Sequence, residues 1–338
     1  MDNLKLSICL PVYNQPDELR KLLNSIIPQA TPEIEIIIRD DSTNQDIEKV
    51  VELFNKKMPI RYFHGIKEGI DKAIIFLIEQ AKGDFIWLIG DEIILADGIG
   101  NVLNVIKNNP EIGFIWANFY ISGIKKLTID LPKSGFFSSR DEILEKALAG
   151  LGFISANILK RELALTGLNG ARKHIGTEFS NLYLTMHTIA QSRKNYYIKE
   201  PIIINYPATS EEIKKITVKN GNINNRAMEV FGFNFANILR SFRGPFSSAA
   251  IEEAIKKVFG QTWRGLLVGW VGGWDTPKGK RIKMLRFFRY FPEAYIAFVL
   301  FLIPLPINKI FYRIYKIFFS HRKFVFIENF KLFFKNKK

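Results

Sequence analysis

The first 90 residues alternate short, continuously apolar runs with segments that carry apolar residues at helical spacing. Runs of this length and composition favour strands that are buried on both faces. Strands that alternate with helices predict a mostly parallel sheet with helices on both of its faces, an α/β fold. The predicted strands are Leu4–Val12, Glu33–Arg39, Ile60–His64 and Phe85–Ile89, and the predicted helices are 16–26, Asp46–Asn55 and Ile70–Ala81.

A less regular stretch continues this domain to about residue 206. Ile112–Tyr120 and Tyr196–Tyr206 have the composition of strands, and Thr177–Ala190 that of a helix. Ser139-Arg140-Asp141-Glu142 is a capping-box pattern and predicts a helix that runs through Ala149. We also expect Asn14 to cap the first helix, with Pro16 in its first turn. Residues 1–206 are therefore predicted to form one domain.

Positive charge is concentrated in the last quarter of the chain. The formal net charge is +15, and the residues from Lys256 onward carry 18 Lys and Arg against three acidic residues. The residues before Lys256 are balanced in charge. A basic tail on a neutral body favours a negatively charged partner, such as anionic lipid, nucleic acid or a phosphorylated substrate.

Aromatic residues accompany this charge, with 17 Phe and Tyr in residues 287–338. Basic side chains and aromatic anchors on one amphipathic helix are typical of a helix that lies in the membrane interface. The apolar run Ala294–Ile307 is interrupted by Pro304 and Pro306 and is too short to span a bilayer. We predict a helical region over 207–338 with a membrane-interface segment at about 287–338. Without a recognisable signal peptide, we expect a cytoplasmic protein, peripheral on the inner face of the cytoplasmic membrane.

Polar and aromatic side chains follow the predicted strands directly. They are Pro11-Val12-Tyr13-Asn14, Asp40-Asp41-Ser42-Thr43 and Gly90-Asp91-Glu92. Ligands bind at the carboxyl ends of the strands in open α/β sheets. There, an aromatic ring can stack on a nucleobase, and a carboxylate can accept hydrogen bonds from it. Adjacent carboxylates suit Mg²⁺ or Mn²⁺, which prefer oxygen ligands, whereas the one cysteine, Cys9, excludes a Cys-based zinc cluster.

The order and spacing of these segments resemble family 2 glycosyltransferases of the GT-A fold. The resemblance is carried by residues 6–14 (LSICLPVYN), 36–43 (IIIRDDST) and 81–92 (AKGDFIWLIGDE), and it covers about residues 4–205. Gly69-Ile70-Asp71 and Trp87-Leu88-Ile89-Gly90-Asp91 resemble the abequosyltransferase-like branch in particular. The resemblance implies a GT-A catalytic domain over residues 1–206.

The family's residue roles transfer to matching positions of this chain. The resemblance implies that Pro11 and Tyr13 line the nucleobase site and that Asp41 hydrogen-bonds the base. It further implies that Asp91 binds the ribose side of the donor and that Glu92 binds Mn²⁺ or Mg²⁺. A divalent ion at that position would neutralise the diphosphate leaving group.

The chain departs from the family pattern at two places. The metal position usually holds Asp, and Glu92 adds a methylene to the carboxylate. Many members have Arg and Asn where this chain has Ile74 and Ile75, so the expected diphosphate contact is missing. Lys72 is the candidate substitute for it.

An inverting transfer needs a general base that deprotonates the acceptor hydroxyl. Family members place an acidic residue at the start of a helix downstream of the metal motif. Glu178, in Gly176-Thr177-Glu178-Phe179, occupies that place and is the candidate. His174 is the alternative.

The predicted function is transfer of a sugar from a nucleotide-diphosphate donor to a glycan or polyprenyl-linked acceptor in bacterial surface polysaccharide synthesis. Three alternatives remain open. A catalytically inactive member would bind nucleotide without turnover. A basic nucleic-acid-binding protein would use the tail, although carboxylates at the strand ends oppose it, so no nucleic acid is expected as a partner. A sugar nucleotidyltransferase would carry a Gly-rich phosphate loop after the first strand, where this chain has Pro11-Val12-Tyr13-Asn14-Gln15.

Overall fold

The computed structural model describes residues 4–122, 132–206, 218–219, 222–223 and 233–258. The chain divides into two compact units, the first made of Met1–Pro207 and Asn237–Ile251. The first unit contains the predicted α/β domain. The predicted membrane-interface segment at 287–338 lies outside the described residues, as does most of the predicted helical region.

A nine-stranded sheet forms the centre of the first unit, in the order β3-β2-β1-β4-β8-β6-β9-β5, with β7 paired to β9. Pairing is parallel from β3 to β4 and between β6 and β9, and antiparallel where β8, β5 and β7 join. The sheet is therefore parallel in its first half and mixed in its second. The strands are β1 (Leu6–Val12), β2 (Ile34–Asp40), β3 (Ile60–His64), β4 (Phe85–Leu88), β5 (Ile93–Ile94), β6 (Ile112–Ile121), β7 (Gly135–Phe136), β8 (Asn157–Lys160) and β9 (Lys194–Asn205).

Helices surround this sheet, and their apolar faces are buried. Trp87 on β4 and Trp116 on β6 are fully buried and mark the middle of the core. Within the described part of the chain, none of the helices has the length and apolar character needed to cross a bilayer. The named helices are α1 (Pro16–Ile26), α2 (Asp46–Asn55), α3 (Ile70–Gln80), α4 (Gly98–Asn108), α5 (Arg140–Leu151), α6 (Arg161–Arg172), α7 (Ser180–Gln191) and α8 (Phe235–Ser241), with 3₁₀ turns at Ile27–Gln29 and Ile154–Ala156. Residues 248–258 are also helical.

Two predictions about helix starts have different outcomes. The predicted cap of α5 is confirmed, because the Ser139 hydroxyl accepts a hydrogen bond from the Glu142 amide at 3.1 Å. The Glu142 carboxylate accepts in return from the Ser138 amide at 2.6 Å, one residue before the capping-box position. The predicted cap of α1 is wrong, since Gln15 holds the cap position without a side-chain bond. Asn14 instead adopts a left-handed backbone, with φ at +52°. Its amide donates to the Ser42 hydroxyl, so it joins the loops after β1 and β2.

A buried polar network lies at the amino ends of the first four strands. Glu35 accepts hydrogen bonds from the Ser7 hydroxyl at 2.7 Å and from the Lys82 amide at 2.6 Å. The Arg61 guanidinium donates to its other oxygen at 2.8 Å, and the Gly83 amide donates to the Ser7 hydroxyl. Because this network supplies a cation, it satisfies the Glu35 carboxylate within the fold.

Candidate active site

The sequence-predicted strand-end residues converge at one edge of the sheet. Since β3, β2, β1 and β4 are parallel neighbours, the segments that follow them emerge side by side. Backbone bonds continue this order past the strands, from the Asp41 amide to the Val12 carbonyl and from the Ile89 amide to the Cys9 carbonyl. Pro11 and Tyr13, Asp41, and the pair Asp91 and Glu92 thus share this carboxyl edge.

The two aspartates after β2 have different environments. Asp40 is fully buried and accepts hydrogen bonds from the Tyr62 hydroxyl at 2.7 Å and the Ser42 amide at 2.8 Å. Burial and this bond to Asp40 raise the pKa of Tyr62. Asp41, closer to the edge, accepts from Arg39 Nε at 2.7 Å and weakly from the Glu68 amide at 3.4 Å. Asp40 therefore secures the fold, whereas Asp41, which is 6% exposed and paired with Arg39, stays a predicted ligand residue.

Tyr13 presents its ring at the mouth of this edge and is 37% exposed. Lys67, in the loop after β3, places its ammonium 3.7 Å from the ring centroid. In this cation–π contact, Lys67 occupies one face of the ring. The sequence did not single out Lys67, which has no motif around it.

The acidic pair after β4 combines an exposed and a buried carboxylate. Asp91 is exposed, whereas Glu92 is 4% exposed. Glu92 Oε2 accepts hydrogen bonds from the Ser155 hydroxyl and from the Gly90 amide at 3.0 Å. Burial, supported by the neighbouring Asp91, raises the pKa of Glu92 to about 7, although the two hydrogen bonds oppose this rise. A nearby positive charge would stabilise the ionised form.

The acidic pair provides oxygen ligands but not a complete metal cage. The described residues contain no group of three or more His, Cys, Asp or Glu side chains that could hold a metal ion. Mg²⁺ commonly binds through one or two carboxylates and takes its other ligands from substrate phosphates and water. The donor chemistry of Asp91 and Glu92, two adjacent carboxylates, fits a hard cation of this kind.

The start of α3 contains Ile74 and Ile75, where the expected diphosphate contact is missing, and Lys72, the candidate substitute. Ile74 and Ile75 are 1% and 6% exposed and belong to the core. Lys72 lies one turn earlier, and its ammonium forms an ion pair with Glu68 at 2.6 Å. Both side chains of this pair are partly exposed. Lys72 is thus accessible to solvent, and its role as a diphosphate contact stays a prediction.

The candidate base, Glu178, lies in a tight turn before α7. Its backbone is left-handed, with φ at +64°, and Gly176 in the same turn has φ at +87°. Asp71, at the start of α3, accepts hydrogen bonds from both of their amides. His174 packs at 5.0 Å against the Tyr183 ring, and burial lowers the pKa of its imidazole. The sequence assigned no role to Asp71, although it stands in the quoted Gly69-Ile70-Asp71 motif.

The turn with Glu178 is linked to the acidic pair through the segment before β8. The Asn181 side-chain amide, in the first turn of α7, donates to the Gly152 carbonyl at 3.1 Å. Three residues on, Ser155 holds Glu92. Because these bonds join residues far apart in sequence, no local pattern could have predicted them.

The mixed sheet, its covering helices and the acidic pair after β4 define a GT-A type nucleotide-sugar transferase fold. Residues 7–162 match the family Glycosyl transferase family 2. This segment of the chain is a family 2 glycosyltransferase domain, as the sequence motifs predicted.

Named relatives agree with this assignment. The chain is 24% identical over 225 residues to abequosyltransferase RfbV of Salmonella typhimurium, covering 59% of this chain and 66% of RfbV. It is 26% identical over 202 residues to the GalNAc(5)-diNAcBac-PP-undecaprenol beta-1,3-glucosyltransferase of Campylobacter jejuni, covering 57% and 62% of the two chains. The match thus spans slightly less than two thirds of each of these relatives.

A solved structure supports the fold. S. aureus TarS 1–349 in complex with UDP superimposes with a TM-score of 0.60 at 14% sequence identity. The superposition covers 86% of this chain and 82% of that one. At this identity the likeness establishes the GT-A architecture alone.

Proposed function

We propose that the protein transfers a sugar from a nucleotide-diphosphate donor to a glycan or polyprenyl-linked acceptor in bacterial surface polysaccharide synthesis. The observation that carries this proposal is the convergence of an exposed aromatic ring, Asp41 and the acidic pair at the carboxyl edge of one sheet. The relatives named for abequosyl and lipid-linked glucosyl transfer support the acceptor class.

The donor side is assigned from the edge residues. Tyr13 stacks on the base beside Pro11, and Asp41 accepts a hydrogen bond from a base N–H. Arg39 and the Glu68 amide hold the Asp41 carboxylate in place. Asp91, which is exposed next to these groups, binds the ribose hydroxyls. Lys72 contributes positive charge towards the diphosphate.

Glu92, together with Asp91, would hold Mn²⁺ or Mg²⁺. Such an ion would supply positive charge to stabilise the departing diphosphate. Ser155 and the Gly90 amide fix the orientation of the Glu92 carboxylate through their hydrogen bonds. This arrangement supports Glu92, rather than the usual Asp, at the metal position, because the longer side chain is held by two donors.

Glu178 acts as the general base of an inverting transfer. Its carboxylate accepts the proton of the acceptor hydroxyl while that oxygen forms a bond to the anomeric carbon. The bond from the anomeric carbon to the diphosphate oxygen breaks, and its electron pair leaves with the nucleoside diphosphate. A carboxylate that is only half-buried and lies in a fixed turn is suited to this step.

An anionic membrane surface is the proposed location of the reaction, on the cytoplasmic face. Each Lys or Arg near an anionic surface contributes about 1 kcal/mol. The basic, aromatic residues after Lys256 would therefore retain the enzyme beside a lipid-linked acceptor. We expect the full chain to co-sediment with phosphatidylglycerol vesicles but not with phosphatidylcholine vesicles. High salt should abolish this co-sedimentation.

Nucleotide release tests the proposal. The full chain is incubated with UDP-, GDP-, CDP- and dTDP-sugars in Mn²⁺, in Mg²⁺ and in chelator. We expect metal-dependent release from one donor class, lost in Asp91→Ala and kept in Asp84→Ala. Asp84 is a matched control, since it is a half-exposed aspartate in a surface ion pair with Lys5. Nucleotide binding without release, even with acceptor lipids added, would instead indicate an inactive family member.

A further inference from the structure

A buried carboxylate outside the assigned donor site lies at the start of α3. Asp71 is 3% exposed, and none of the described Lys or Arg side chains forms an ion pair with it. Its carboxylate accepts three hydrogen bonds, all from backbone amides. A buried charge satisfied in this way orders the segment that supplies the amides.

The three amides come from one short segment before and at the start of α7. Asp71 Oδ2 accepts from the Gly176 amide at 2.8 Å and from the Glu178 amide at 2.9 Å. Asp71 Oδ1 accepts from the Ser180 amide at 2.9 Å. The segment therefore wraps around a single side chain that is more than 100 residues away in sequence.

This wrapping coincides with an uncommon backbone conformation. Glu178 has φ at +64°, a region that residues with a side chain rarely adopt, and Gly176 has φ at +87°. Such a conformation persists only where the surroundings hold it, and it is concentrated at functional sites. The Asp71 carboxylate binds the amides of both residues and is the contact that ties this turn to α3, while bonds between Thr177 and His174 close the turn locally.

Asp71 also stands next to the donor side. Its neighbour Lys72 pairs with Glu68, whose amide donates to Asp41. Its bond to Ser180 fixes the first residue of α7, and Asn181 then connects α7 to the segment that holds Glu92. One buried side chain thus connects the start of α3 to the turn that carries the candidate base.

We propose that Asp71 is a positioning residue that sets the backbone from which Glu178 acts as general base. This inference rests on the proposed function. Asp71 itself does not touch the reacting atoms, and its effect on the rate passes through Glu178. A displacement of a catalytic group by about 1 Å lowers a rate by about 100-fold, so loss of this contact has a large effect on kcat.

A double-mutant cycle tests the coupling. Asp71→Asn keeps the size of the side chain but replaces one acceptor oxygen with an NH₂ group, and Glu178→Gln removes the base. We expect each single variant to lower kcat by at least about 100-fold, as loss of a general base does, with the KM for the donor within about twofold. In the Glu178→Gln background, Asp71→Asn should lower kcat by less than about twofold more.

The proposal would be overturned if Asp71→Asn lowered kcat by the same factor in wild type and in Glu178→Gln. A purely structural Asp71 would have this equal effect, whether or not the base is present. The same holds if Glu178→Gln keeps full activity while Asp71→Asn loses it. Absence of release by the wild-type protein from every donor would be a different result, and it would remove the proposed function together with this inference.

A second variant covers the case in which Asp71→Asn does not fold. Gly176→Ala forces a side chain onto the left-handed turn, and its new Cβ would meet no atom within 4 Å. Gly244→Ala is its matched control, because Gly244 also has a positive φ and open space, but lies outside the turn. We expect Gly176→Ala to lower kcat about tenfold and Gly244→Ala to leave it unchanged. Equal kcat values in the two variants would overturn the proposal.

Discussion

Two buried glutamates lie at opposite edges of the same sheet and differ in the charge of the side chain beside them. Glu35, at the amino edge, is 8% exposed, and Glu92, at the carboxyl edge, is 4% exposed. Each accepts a hydrogen bond from a serine hydroxyl and one from a backbone amide. Glu35 also forms an ion pair with the Arg61 guanidinium at 2.8 Å. The charged neighbour of Glu92 is instead another carboxylate, Asp91.

The difference separates a carboxylate that is satisfied within the fold from one that we propose to bind a cation. Glu35 has the Arg61 guanidinium as its partner inside the protein. Burial, together with the neighbouring Asp91, raises the pKa of Glu92 to about 7, whereas Glu35 has a cation beside it. Such strongly shifted groups in clefts are candidates for functional sites. The following predictions test this contrast.

The largest expected effect concerns turnover. Glu92→Gln keeps an acceptor oxygen for Ser155 and Gly90 but removes the charge. Loss of a key electrostatic group commonly costs about 100- to 1,000-fold in kcat, and we expect a loss of this size in nucleotide release. Glu35→Gln should keep the release rate per folded molecule. Equal rates in the two variants would remove the functional distinction between the glutamates.

The second prediction concerns the pH dependence of stability. Between pH 4.5 and about 7 the folded protein retains a proton on Glu92 that the unfolded chain loses. The free energy of unfolding therefore falls as pH rises through this window, by about 3 kcal/mol in total. Measured by urea unfolding in chelator, Glu92→Gln should be more stable than wild type at pH 8 and equal to it near pH 4.

Removal of the cation at the amino edge should lower stability instead. Arg61→Ala leaves Glu35 buried without its guanidinium partner. A hydrogen bond to a charged group contributes about 1.5–3 kcal/mol, and because Arg61 is partly exposed we expect a loss of about 2 kcal/mol. Urea unfolding at pH 7 measures it. A change below about 0.5 kcal/mol would mean that the amino-edge network does not stabilise the fold.

The smallest expected effect is at the base site. Tyr13→Ala removes a ring on which a nucleobase can stack, and stacking of this kind is worth about 1–3 kcal/mol. The KM for the donor should rise about 5- to 150-fold, with the free energy of unfolding nearly unchanged because the ring is 37% exposed. Tyr13→Phe keeps the ring and is the control. If the KM for the donor in Tyr13→Ala is the same as in Tyr13→Phe and wild type, the ring is excluded from the donor site.

Local sequence patterns predicted the first half of the fold well. The continuous apolar runs place β1 to β4 within two residues of the structure, and α2 is predicted at its observed bounds, Asp46–Asn55. Helix α6 was missed because Gly167 and Gly170 interrupt it. These glycines are needed for packing, since a Cβ at either position would meet His187 or Tyr183 of α7.

The candidate site also contains residues that local sequence patterns identify and residues that they miss. Tyr13, Asp41, Asp91 and Glu92 follow strands directly, so the rule that ligands bind at strand ends identified them. Ser155 and Asp71 contact Glu92 and the turn of Glu178 across long stretches of sequence, and only the folded chain brings them together. The proposed donor contacts, which follow strand ends, are therefore accessible to sequence analysis, whereas the contacts of Ser155 and Asp71 are not.

Binding of nucleoside diphosphates tests the central claim most directly, because it needs no acceptor. UDP, GDP, CDP and dTDP are titrated into wild type, Glu92→Gln and Glu35→Gln, with Mn²⁺ and with chelator. The account predicts that one nucleotide binds wild type and Glu35→Gln more tightly with Mn²⁺, and that Glu92→Gln loses this metal dependence. Absence of binding for all four nucleotides, or a metal dependence that survives in Glu92→Gln and disappears in Glu35→Gln, would contradict it.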